Sequence, residues 1–153
     1  MSVRVIQGLE ELRTLVGKRL GTSDWFDVTQ ERVTAFAEAT CDRQWIHIDP
    51  ERAARESPYG GTVAHGFYTL SLTIVLSEQA FRVEGLKMIV NYGLNRVRFP
   101  SPVRVGKQIR LNVDLVELTD ASQGVQVVLK ETFEIAGEPR PACVAEHLLR
   151  LFF

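Results

Sequence analysis

The stretch GFYTLSLTIVLSEQ, residues 66–79, is apolar on nearly every side. Phe67, Leu70, Leu72, Ile74, Val75 and Leu76 leave no stripe wide enough for a solvated face, so a helix here is buried on most sides. Such a helix needs a wall around it, and the residues that follow supply one. KMIVNYGLNRVRF (87–99) changes to a period of two, with a phase slip between Leu94 and Val97 that predicts a bulge near Asn95-Arg96. Pro100-Ser101-Pro102 ends that strand. QIRLNVDLVEL (108–118) alternates cleanly, Ile109, Leu111, Val113 and Leu115 one way, Arg110, Asn112 and Asp114 the other. After a turn over Thr119–Gly124, the alternation resumes at Val125, Val127 and Leu129, and Phe133 and Ile135 keep its phase. Ala136-Gly137-Glu138-Pro139 is a hairpin turn, and residues 142–153 form the last strand. Three or four long antiparallel strands in a row form a meander whose apolar face needs a cover. An α+β fold follows, a curved antiparallel sheet wrapped around one central helix.

Upstream, the chain reads as helix and loop. Residues 5–16 form a short amphipathic helix, and 24–28 a brief strand. Thr29 caps a helix over 30–40, with Val33, Phe36 and Ala37 on its core face. CDRQWIH (41–47) has no period and is an irregular turn. Asp49 before Pro50 starts a short helix that Ser57-Pro58 stops.

With 153 residues and 17.2 kDa, residues 1–153 are expected to form a single domain. Hydrophobic residues at 45% and charged residues at 24% exclude a disordered chain. Eighteen Lys and Arg against nineteen Asp and Glu give a net charge of -1, with no basic excess for duplex nucleic acid. No run of about 18 apolar residues spans a membrane. The N-terminal MSVRVIQGLEELRTL has acids at Glu10 and Glu11 and no secretory core. Cys41 and Cys143 make no disulfide framework, so a reducing, cytoplasmic setting is expected.

Chemistry concentrates where periodicity fails. Asp42 and His47, five residues apart in a loop, can converge on one water, holding it and moving its proton. The same spacing fits a turn-capping Asp42 beside a satisfied imidazole. Glycines ahead of the apolar helix leave backbone N–H groups at its positive end, where a developing oxyanion is stabilised. Gly66 is the nearest donor, while Gly60 and Gly61 equally serve a turn. Asp49 is a cap, and His147, in the last strand with only Glu146 nearby, is structural. Cys41, beside an acid that would raise its thiol pKa, reads as a buried small hydrophobe. No HExxH or Cys/His spacing is present, so no metal site is expected. Arg96 and Arg98 flank the bulge, and Arg104 and Lys107 follow. They meet a ligand's phosphates or form a solvated strand face.

CDRQWIHIDPERA, then GGTVAHGFYTLSL, then NRVRFPSPVRVG, over about residues 24–150, resemble the MaoC-like (R)-specific enoyl-CoA hydratases, which have the hot-dog fold. Asp42, His47 and Asp49 match the family's pattern. Gln44-Trp45 stands where Asn-Pro is usual, a departure similar to the nodulation-protein-N-like branch. The resemblance implies that Asp42 and His47 bind and activate water and that the Gly66 amide holds the thioester oxygen. Gly61, His65, Arg96 and Arg98 are then the substrate-binding candidates. The family often has a serine along the helix. Ile74 stands at the aligned position with Ser71 nearby, and the role is not transferred. The implied reaction is syn addition of water to a trans-2-enoyl thioester, giving an (R)-3-hydroxyacyl product, or its reverse. It needs no cofactor beyond the coenzyme A or acyl carrier protein that carries the substrate. A homodimer, its sheets joined edge to edge, is also implied. Two other readings compete: a hot-dog acyl-CoA thioesterase, and a non-catalytic acyl-thioester-binding subunit of a heterodimeric dehydratase.

Overall fold

The computed structural model describes residues 3–153; Met1 and Ser2, the start of the stretch read for a leader, lie outside them. In chain order the elements are β1 (Arg4–Ile6), α1 (Gly8–Thr14), β2 (Arg19–Thr22), β3 (Phe26–Asp27), α2 (Gln30–Thr40), α3 (Trp45–Ile48) and α4 (Pro50–Glu56). Then come α5 (Gly66–Ser71), α6 (Thr73–Ala80), β4 (Phe81–Val83), β5 (Met88–Arg98), β6 (Gln108–Ala121), β7 (Gly124–Ile135) and β8 (Cys143–Phe152). The main sheet runs β2-β6-β7-β8-β5, with β3 also pairing β6. Its inner positions, among them Ile109, Leu111, Val113, Leu115, Val127, Leu129 and Phe133, are buried. Tyr68, Thr69, Thr73, Leu76 and Ala80 of α5 and α6 are buried as well. This is the α+β, sheet-around-helix arrangement that the alternating strands and the apolar helix demanded.

The two capping signals hold. Thr29 Oγ1 accepts from Arg32 N at 3.3 Å, and Asp49 Oδ1 from Arg52 N at 2.9 Å. Other expectations are corrected. The first residues of the expected 5–16 helix are strand: β1 pairs parallel with β4, and α1 starts only at Gly8, whose φ of 77° suits glycine. CDRQWIH contains a one-turn helix, α3. The expected single helix over 66–79 breaks at Leu72, whose N–H bonds back to Thr69 O. Ser71 Oγ donates to Tyr68 O at 2.7 Å, the side-chain competition that bends helices. Nor is this helix buried on most sides. The sheet covers one face, and Phe67 on the other is 71% exposed, with Ile74 and Val75 also exposed.

Only β6, β7 and β8 form the meander. The fourth long strand, β5, pairs with β8, far from its successor β6. It bulges between Leu94 and Arg96 as expected and again between Asn91 and Gly93. The β6–β7 turn is tighter than expected, because Thr119 and Asp120 still pair and Ala121 faces Gly124. Gly124, with φ of 138°, cannot carry a Cβ without overlapping the Leu151 carbonyl. β5 is one edge strand of the main sheet. Met88, Ile89, Val90, Tyr92 and Leu94 are exposed along it, Tyr92 at 60%.

Candidate active site

The site is built where α2, α3 and the segment before α5 meet. α2 ends at Cys41 in the left-handed conformation, φ 60° and ψ 15°. That reversal turns Cys41 out to solvent, so it is not the buried hydrophobe expected of it. Asp42 follows with an exposed carboxylate, and α3 then carries His47 into a buried position. Val63 N–H donates to Ile46 O at 3.0 Å, and the Val63 carbonyl accepts from His47 Nδ1 at 2.6 Å. Gln30 of α2 ties these pieces together. Its Nε2 donates to His47 O at 2.7 Å, and its Oε1 accepts from Thr62 Oγ1 at 2.6 Å.

His65 stacks on His47, ring centroids 3.7 Å apart and planes 24° from parallel. His65 Nε2 donates to the Asp42 backbone carbonyl at 3.0 Å and lies 3.9 Å from the Asp42 carboxylate. Phe36 of α2 backs the His65 ring at 5.0 Å. Asp42, His47 and His65 thus each present a polar atom within 4.8 Å of the others. A backbone carbonyl only accepts, so His47 Nδ1 carries its hydrogen and Nε2 is the bare nitrogen of the neutral ring. Burial pushes the His47 pKa below the ordinary 6.5; the Val63 carbonyl opposes this, neighbouring His65 reinforces it, and Asp42 opposes it. On His65 the bare nitrogen is Nδ1, which is buried without a partner.

The same three residues are metal-capable. The stacking argues against a shared ion, because in-plane lone pairs of two rings 24° from parallel, with centroids 3.7 Å apart, do not converge on one point at a bond length of about 2.1 Å.

Gly66 is the first residue of α5, so its N–H has no intrahelical acceptor. Together with His47, Tyr59, Val63, Thr69 and Phe99 it lines a cavity of 260 Å³. A Cβ at Gly66 would stand 3.1 Å from three atoms of the Phe99 ring, so glycine lets that ring close over the helix start. Neither Phe99 nor Thr69 was singled out by sequence reasoning, since an aromatic just before Pro100 and a threonine inside a helix carry no spacing signal. The other candidates lie outside this cavity. Gly61 packs against the Arg104 guanidinium, and Arg104 Nη2 donates to Gly60 O at 3.0 Å. Arg96 and Arg98 lie at the end of β5, and Lys107 pairs with Glu138 at 3.0 Å. Trp45 sits under the Arg52 guanidinium, 4.3 Å from its centre. Ser71 and Ile74 line a neighbouring groove with Phe36.

Residues 11–135 match the MaoC like domain family. The chain belongs to the MaoC-like family. This MaoC-like chain is 48% identical over 149 residues to 3-hydroxyacyl-thioester dehydratase Z of Mycobacterium tuberculosis strain H37Rv, covering 97% of this chain and 98% of that protein. It is 42% identical over 147 residues to nodulation protein N of Rhizobium leguminosarum bv. viciae, covering 95% and 91%. The solved (R)-hydratase from A. caviae involved in PHA biosynthesis superposes with a TM-score of 0.72 at 23% identity, over 89% of this chain and 96% of that one. The sheet around α5 and α6 is therefore the hot-dog fold, and the MaoC-like domain carries Asp42, His47 and Gly66 on its matched stretch. No helix among the described residues is long and apolar enough to cross a membrane.

Proposed function

We propose that residues 1–153 form one domain that hydrates trans-2-enoyl thioesters to (R)-3-hydroxyacyl thioesters and runs the reverse dehydration, as a hydro-lyase without a cofactor of its own. The observation that carries the reading is a buried His47 with a bare Nε2, grouped with Asp42 and His65, at a cavity that Gly66, the first residue of α5, also lines. Asp42 accepts one hydrogen of the water, and His47 Nε2 takes the other as the water oxygen bonds to C3. The C2–C3 electron pair moves to the thioester oxygen, which accepts from Gly66 N–H. The imidazolium then returns its proton to C2 on the same face, so one water supplies both atoms and addition is syn. Positioned acid–base groups of this kind contribute about 10²–10⁴ in rate, and a backbone donor at the oxyanion about 10²–10³. Burial keeps His47 neutral before attack, and the His65 ring stacked on it acts in the same direction. Gly61 supports the substrate's entry through Arg104. Arg96 and Arg98, with no ion-pair partner among the described residues, meet the phosphates of coenzyme A or acyl carrier protein.

A second copy of the chain covers β5. Its unpaired backbone and exposed Met88, Ile89, Val90, Tyr92 and Leu94 form an apolar edge that a two-fold partner would pair strand to strand.

The test follows crotonyl-CoA at its conjugated absorbance in wild type, Asp42→Asn and His47→Ala, with free thiol measured on the same samples. Turnover lost by about 10²-fold or more in both variants, with melting unchanged, supports the pair. Free thiol appearing in step with the absorbance loss means a thioesterase, because hydrolysis also ends the enoyl-thioester conjugation, whereas hydration loses the absorbance with no thiol released. Light scattering on the wild type reports the dimer, and full activity in a monomeric preparation refutes the shared edge.

A further inference from the structure

A second cluster of titratable groups lies across the helix from Asp42 and His47. β7 points Val125, Val127, Leu129, Phe133 and Ile135 into the core, and Glu131 occupies the same phase, fully buried. Its Oε1 is 3.1 Å from His147 Nδ1, and its Oε2 accepts from Thr73 Oγ1 at 3.3 Å. His147, 3% exposed, reaches on through Nε2 to Asn91 Oδ1 of β5 at 3.0 Å. His147 is therefore not idle filling, and its acid is Glu131 on the neighbouring strand rather than Glu146.

Proton counting fixes what Asn91 offers. Asn91 Oδ1 only accepts, so His147 Nε2 carries a hydrogen. The other ring nitrogen, Nδ1, is held by Glu131 Oε1 at 3.1 Å, so both sides of the ring are tied down. The Asn91 amide is thereby oriented, and its Nδ2 hydrogens have no partner among the described residues. Asn91 and His147 line a groove of 340 Å³, with Phe36, Leu70, Ile74 and Leu94 on its apolar side. Phe36 also touches His65, so the groove abuts the Asp42–His47 site. From Gly66 to Thr73 the helices advance about 10 Å at 1.5 Å per residue, the reach of a medium-length acyl chain.

We propose that Asn91, positioned by the buried Thr73–Glu131–His147 relay, is a hydrogen-bond donor subsite for an oxygen on the substrate's acyl chain. The class of substrate is then an acyl thioester bearing a carbonyl or hydroxyl oxygen several carbons from the thioester, favoured over the plain chain of equal length. The inference rests on the thioester reading above, since it places the acyl chain along this groove.

Calorimetric binding of saturated octanoyl-CoA, 7-oxooctanoyl-CoA and 7-hydroxyoctanoyl-CoA tests it, because none of these can be hydrated. Wild type is expected to bind both oxygenated chains about tenfold more tightly than octanoyl-CoA. Asn91→Leu, at an exposed edge position, abolishes both preferences. Asn91→Asp keeps an acceptor for His147 but places an acceptor toward the groove, so it loses the oxo preference and keeps the hydroxyl one. Equal binding of the three chains by wild type, or an oxo preference that survives in Asn91→Leu, overturns the subsite. Crotonyl-CoA hydration is measured in parallel. Turnover without discrimination sinks the subsite alone, discrimination without turnover sinks the hydratase alone, and no binding of any thioester sinks both.

Discussion

Removing the partners of the Glu131–His147 pair one at a time and together separates what burial of charge costs from what packing contributes. Glu131 has no solvent exposure. In His147→Leu its carboxylate keeps only Thr73 Oγ1, and an uncompensated buried charge of this kind destabilises by about 3–5 kcal/mol. Glu131→Leu is milder. His147 keeps Nε2 on Asn91 and leaves Nδ1 without a partner, a loss of about 1–3 kcal/mol. In the double leucine variant no charge remains. Thr73 Oγ1 turns to its own helix, exposed Asn91 turns to water, and stability returns to within about 1 kcal/mol of wild type or exceeds it. Urea unfolding with shared m-values measures all four proteins. The same order appears in melting, at about 2–4 °C per kcal/mol for a chain of this length, so His147→Leu melts roughly 6–20 °C early. The reasoning fails if the double variant is as unstable as His147→Leu plus Glu131→Leu summed. That result would mean the two side chains act through volume and not through each other's charge.

Four further outcomes follow from the site. Because His47 in the folded protein holds its proton less tightly than the ordinary 6.5, kcat/KM is expected to rise with pH to a plateau, with its inflection below 6.5; an inflection above 6.5 excludes His47 as the base. On the stability side, the unfolded chain binds more protons at His47 below about 6.5. Stability from this residue is complete above that pH and lost as pH falls through the folded value, and His47→Gln should flatten that slope in pH-dependent denaturation. Gly66→Ala puts a methyl 3.1 Å from the Phe99 ring, which is half exposed and can swing, so unfolding should show a loss of only about 1 kcal/mol while turnover drops at least tenfold; wild-type turnover would remove Phe99 and the helix start from the site. Cys41→Gly relieves a left-handed non-glycine residue and should gain roughly 0.5–1 kcal/mol in denaturant unfolding without loss of activity. A loss of activity would mean that the exposed Cys41 thiol takes part in the reaction.

The strands that were legible are those whose burial is one-sided and long. β7 alternates over its whole length, and the apolar residues of β6 keep a period of two as far as Leu115, because one face of each meets the core. β2 was missed because only Leu20 of its four residues is buried, and β1 and β4 because three residues hold no period. The strand order was also hidden. Whether β5 closes against β6 or β8 depends on how the sheet wraps the helix, which no local pattern records. The break at Leu72 has the same character, since Ser71 reads as a tolerated helix residue until its hydroxyl is seen on the Tyr68 carbonyl.

The two buried histidine sites show why residue type and spacing stop short of chemistry. Asp42 and His47 were found by their spacing in a loop, but spacing says nothing of the Val63 carbonyl that sets the tautomer or of the His65 ring stacked on it. Burial favours the neutral imidazole, the Val63 carbonyl fixes which of its nitrogens is bare, and the His65 ring stacks against it. Around His147 the opposite neighbours act. A carboxylate and an amide oxygen face its two nitrogens, so the same side chain is tied between β7 and Asn91 of β5. The sign of this was present in the sequence, as a glutamate in the core phase of VQVVLKETFEI, residues 125–135. A charge at such a position is costly unless something pairs with it. The alternation that identified the strand therefore also marked Glu131 as the residue whose partner had to be sought.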